Sequence, residues 1–148
     1  MRAFAIAFLL SGVCFGQQVT VRVVNGSDGQ PLPGWKVSVF FVNGTPGKQD
    51  VKELQPLQTD SDGKAQFALP QPVPDVLNVY AFPQTHNWYP GSVKTKTSVV
   101  MQLGTQSPSG VKTPEKVRGQ PGQILILAKP ITVWDKIIHT LLGPLERG

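Results

Sequence analysis

Apolar side chains at every second position recur along most of this chain, and Asn-Gly or Asp-Gly pairs separate the runs. In VTVRVV (19–24), Val19, Val21 and Val23 fall on one side and Thr20 and Arg22 on the other, which is the period of a strand with one buried face. KVSVFFV (36–42) repeats this with Val37, Val39 and Phe41, and KAQFAL (64–69) with Ala65, Phe67 and Leu69. VLNVYAF (76–82) and TSVVMQL (97–103) read as strands too. The pairs Asn25-Gly26, Asp28-Gly29, Asn43-Gly44 and Asp62-Gly63 lie between or beside these runs. Asn and Asp tolerate the left-handed region and Gly enters it freely, so such pairs suit reversals of a β-chain. With 15 Gly, 14 Pro and only 16% charged residues in 148, the composition disfavours long helices. The length is that of one domain. These features predict an all-β fold, a single sandwich of about seven strands.

Residues 1–16 read as a leader and not as part of that fold. Met1-Arg2 gives a basic start, AFAIAFLLSGVCF an apolar stretch, and Cys14 and Gly16 are small residues suited to cleavage before Gln17. A bilayer span needs about 18–20 apolar residues, and Gln17-Gln18 arrives too soon. Export is the expectation, to a periplasmic or extracellular location with envelope association as an option. Cleavage leaves 132 residues without Cys14, the sole cysteine, and so without a disulfide, a thiolate nucleophile or a cysteine metal site. Loss of Arg2 lowers the formal charge from +5 to +4, too small an excess to point to nucleic acid.

GQPLPGWKVSVFF (29–41) crowds punctuators and a tryptophan ahead of a strand. Pro31 and Pro33 remove donors and fix the backbone, which bars a central strand there, and Gly34 permits a sharp entrance to the next one. Trp35 is placed to close one end of a core. DGQPLPGWKVSV, followed some twenty residues later by TDSDGKAQFALP, resembles the carboxypeptidase regulatory-like module, a transthyretin-like or prealbumin-like β-sandwich. The matching positions are Asp28, Pro31, Leu32, Pro33, Gly34, Val37, Val39, Thr59, Asp60, Asp62, Gly63, Phe67 and Leu69. The resemblance covers about residues 18–82 and implies an immunoglobulin/transthyretin-like sandwich that acts as a non-catalytic accessory module of exported proteins. Peptidase activity is not implied, because the matched positions are turns and core.

Beyond residue 82 the pattern changes. PQTHNWYPGSVKTK (83–96) and GTQSPSGVKTPEKVRGQ (104–120) read as polar loops. GQILILAK (122–129) is a nearly unbroken apolar strand that needs cover on both faces. The sandwich is therefore assigned to 17–130 and a helix and tail to 131–148. In that last segment Thr132 is a helix cap, Val133, Trp134, Ile137, Ile138, Leu141 and Leu142 form one stripe, and Gly143-Pro144 ends it. The simplest expectation is that this short amphipathic helix docks on the sandwich and covers it. The sharper one is that Trp134, Ile137, Ile138, Leu141 and Leu142 meet a partner protein or a membrane surface.

Little in the sequence supports catalysis. His86 and His139 stand far apart, which argues against a metal cluster. DSDG (60–63) lacks the later oxygen ligands of a calcium loop and reads as a hairpin. There is neither a nucleophile elbow nor a phosphate-binding glycine loop. No enzyme activity and no cofactor are expected. Two further binding features are His86, Trp88 and Tyr89 in HNWYPG (86–91), aromatic groups suited to a glycan, and a basic patch of Lys94, Lys96, Lys112, Lys116 and Arg118 in two loops. NGS (25–27) and NGT (43–45) match the N-glycosylation pattern and equally match turns. The expected role is an exported, non-catalytic module that binds another envelope or extracellular protein, with carbohydrate binding through loop 86–91 as the alternative.

Overall fold

The computed structural model describes residues 16–108 and 118–142. Residues 1–15 of the leader, Lys112, Lys116 and the helix stop at Gly143-Pro144 lie outside the described residues, as do the side chains of His139, Leu141 and Leu142. Among the described residues nine strands form two sheets: β1 (Gln18–Asn25), β2 (Lys36–Thr45), β3 (Lys48–Glu53), β4 (Leu57–Gln58), β5 (Lys64–Ala68), β6 (Val76–Phe82), β7 (Gly91–Lys96), β8 (Thr105–Gln106) and β9 (Gln123–Ala128). Helix α1 (Thr97–Leu103) follows β7, and α2 (Val133–Leu142) follows β9. One sheet has the order β5-β1-β9-β8, and the other β3-β2-β6-β7 with β4 paired to β2. The result is the expected β-sandwich with a short C-terminal helix. It has more strands than seven because the two-residue β4 and β8 and the polar β3 carry no apolar alternation.

The inward positions of the two sheets meet in one core. Val19, Val21, Val23, Phe67, Ile124 and Ile126 come from the first sheet; Val37, Val39, Phe41, Leu77, Val79 and Val93 come from the second. Burying an aliphatic side chain of this size stabilises the fold by about 1.5–3 kcal/mol, so this cluster supplies most of the cohesion of a fold without disulfides. Phe41 and Phe67 touch across the sandwich with centroids 5.9 Å apart. Trp35 is buried as expected and meets Trp88 edge-on at 6.1 Å.

The proline-rich turn and the Asp-Gly hairpin are knitted together by Thr59. Its hydroxyl donates to the Leu32 carbonyl at 2.8 Å and accepts from the Trp35 amide at 2.9 Å. Its backbone amide donates to the Trp35 carbonyl, and its own carbonyl accepts from the Gly34 amide, both at 2.9 Å. Gly63 has φ +69°, and a Cβ there would lie 2.5 Å from the Val23 carbonyl oxygen and 2.9 Å from the Leu32 amide. Only glycine fits that junction. Asp60 Oδ1 accepts from the amides of Asp62 and Lys64, each at 2.9 Å, so the DSDG carboxylate closes its own reversal.

Four local expectations change. TSVVMQL forms helix α1 instead of a strand: it buries Thr97 and Val100, three apart, and ends where the Gly104 amide donates to the Val100 carbonyl. A short apolar run does not by itself separate helix from strand, and here it links the edge of one sheet to the edge of the other. Residues 91–96, read as loop, are β7, paired with β6 from Gly91 opposite Ala81 to Lys96 opposite Val76. Asn43-Gly44 is not the reversal after β2; the strand continues until Thr45 pairs with Lys48, and Pro46 ahead of Gly47 at φ 90° is the residue order of a type II turn. Finally, α2 does not cover β9. Ile124 to Ala128 are all buried, yet Val133 and Trp134 on α2 are 72% and 73% exposed.

Candidate functional site

Three surfaces emerge, and two of them adjoin. Helix α2 begins with reciprocal capping. The Thr132 amide and hydroxyl both donate to Asp135 Oδ2 at 2.8 Å, and the Asp135 amide donates back to Thr132 Oγ1 at 3.2 Å. This fixes the start of the helix as the sequence indicated. Its described apolar side chains stay exposed, with Ile137 39% and Ile138 50% exposed alongside Val133 and Trp134. Leu141 and Leu142 continue the helix, their side chains being outside the described residues. No helix among the described residues is long and apolar enough to cross a membrane.

The aromatic loop 86–91 holds the base of that helix. The Ile131 amide donates to the Asn87 carbonyl at 2.8 Å, the Tyr89 amide to the Lys129 carbonyl at 3.0 Å, and Lys136 Nζ to Asn87 Oδ1 at 3.4 Å. Lys129 Nζ stands 5.6 Å from the centre of the Tyr89 ring, within cation–π range. Trp88 is half-buried, bridged to Pro130 and packed on the core beside Trp35, while His86 is exposed. The loop read as a separate glycan contact is thus joined to the helix read as a partner contact, and Trp88 packs partly buried against the core.

The basic residues are divided. Lys94 and Lys96 are exposed on β7, at the edge of the five-stranded sheet. Arg118 is exposed ahead of β9 in the other sheet, next to Gly119, whose backbone abuts Thr105 of β8.

The third surface escaped the sequence reading. On the outer face of the five-stranded sheet, Phe40 of β2 meets Tyr80 of β6 edge-on at 5.7 Å, and Tyr80 lies nearly parallel to Phe82 at 6.3 Å with 14° between the planes. Tyr80 and Phe82 are about two-fifths exposed, at 39% and 41%, and Val51 on β3 is 53% exposed. With Ser38 and Asn78 these residues line a shallow groove of about 450 Å³. The signal was present in VLNVYAF, where the phase opposite Leu77, Val79 and Ala81 carries Asn78, Tyr80 and Phe82. That phase passes as a solvent face unless its two rings are noticed.

Among the described residues no three or more His, Cys, Asp or Glu side chains group to hold a metal ion. Comparison with known proteins gives no matching family model and no significant similarity to a curated protein.

Proposed function

We propose that this chain is an exported, non-catalytic accessory sandwich of the carboxypeptidase regulatory-like kind, and that it binds another envelope or extracellular protein through the apolar face of α2. The observation that carries this reading is the exposure of Trp134 at 73% on a helix whose start is fixed by Thr132 and Asp135. A capped amphipathic helix held at its base by loop 86–91, with Val133, Trp134, Ile137 and Ile138 exposed, suits the helix-in-groove mode of recognition. Tryptophan is also among the residue types enriched at the energetic centres of protein interfaces.

The test is made in the full chain with Trp134→Ala and Ile138→Ala together. Because both side chains are exposed, the melting temperature should stay within a few degrees. A photo-crosslinker at position 137 should capture a defined envelope protein, and the double variant should lose it. Flotation with vesicles instead of protein capture assigns the same face to a lipid surface and overturns the protein reading. Unchanged capture by the double variant also overturns it.

A further inference from the structure

We propose that the outer face of the five-stranded sheet is a binding platform for an acidic oligosaccharide, built on Phe40, Tyr80 and Phe82. Three rings on two adjacent strands, with no cover among the described residues, form an exposed apolar patch that a lone surface aromatic does not. The strands fix the rings, so little conformational entropy is lost when a ligand stacks on them. The C–H faces of pyranose rings are apolar and carry the slightly positive hydrogens that the negative face of an aromatic ring attracts. The groove also holds polar groups: Ser38 and Asn78 line its floor. Asn78 Oδ1 is buried there without a hydrogen-bond partner among the described residues, and a ligand hydroxyl, with rotation of the amide, would satisfy it.

Charge selects the class of sugar. Register pairs Lys36 with Phe82, Lys94 with Asn78 and Lys96 with Val76, so three cations share the outward phase of β2, β6 and β7 with the rings. Glu53 opposite Phe40 is the one acidic neighbour in that phase of β3. The cation excess complements carboxylates regularly spaced along a uronic-acid chain. This platform uses none of the residues assigned to the α2 contact, so either reading can fail alone.

Isothermal titration of the full chain at low salt, with oligogalacturonate and with a neutral cello-oligosaccharide of equal length, is the direct test. The acidic probe should bind more tightly. Tyr80→Ala and Phe82→Ala should each weaken it about tenfold. Lys94→Gln should weaken the acidic probe about threefold and leave the neutral one unchanged, and Trp134→Ala should alter neither. The proposal is overturned by equal or stronger binding of the neutral sugar, by no binding of either, or by full binding in both ring variants. It is also overturned if sedimentation shows a dimer that Phe82→Ala disperses, because the face would then belong to a second copy of the chain.

Discussion

The two sheets of the sandwich present outward faces with opposite fates. On the four-stranded sheet the outward phase holds Val24, Leu125 and Leu127, which form a second buried cluster at 0–5% exposure. On the five-stranded sheet the same phase holds Phe40, Tyr80 and Phe82, and two of these three rings are about two-fifths exposed. Among the apolar residues of that phase Val42 is the buried exception, flanked in register by Val51 and Val76. Strand alternation assigns a residue to a side, whereas burial depends on what lies over that side. An apolar outward residue therefore supports stability on one sheet and is available for recognition on the other.

Truncations on the two faces should differ accordingly. The largest effect is expected from Leu125→Ala, which empties a fully buried site on the covered face and should cost about 2–5 kcal/mol in urea unfolding. A loss below about 1 kcal/mol would show that this face is not a core in its own right. A smaller effect belongs to Ser107→Ala. Ser107 Oγ accepts the Leu127 amide at 2.9 Å, and its own amide donates to the Leu125 carbonyl at 2.8 Å. Removing the hydroxyl leaves a buried N–H unpaired for about 1–3 kcal/mol, with faster hydrogen exchange at Leu127 as the local signature. The smallest effect is expected from Tyr80→Ala on the open face, about 0.5–1.5 kcal/mol from the lost ring contacts. A cost as large as that of Leu125→Ala would mean that the rings serve the fold and would erase the contrast between the faces.

Loop 86–91 and α2 show how sequence distance conceals a shared structure. Asn87 and Lys136 are 49 positions apart, yet their side chains meet at 3.4 Å. A glycan contact and a helix contact looked like rival readings because nothing local connects HNWYPG to the segment after Pro130. The link is made through backbone bonds such as Ile131 to Asn87, and such partners are set by how the sheets stack. Trp88 illustrates the same point. Its loop setting offered a glycan contact, and its place beside Trp35 follows from the return of the chain toward β7.

The amino-acid order by itself determined the inward faces of β1, β2, β5 and β6, the Trp35 closure, the Asp60–Gly63 reversal and the Thr132 cap. Each depends on chemistry within a few residues: period-two burial, the backbone freedom of Gly, or a side-chain oxygen reaching a nearby amide. Tertiary structure decided that 97–103 would be a helix, that 91–96 would pair as a strand, that α2 would leave Val133, Trp134, Ile137 and Ile138 exposed, and which outward face would be covered. Those outcomes depend on contacts between distant segments, because an apolar side chain is buried only when another part of the chain is brought over it.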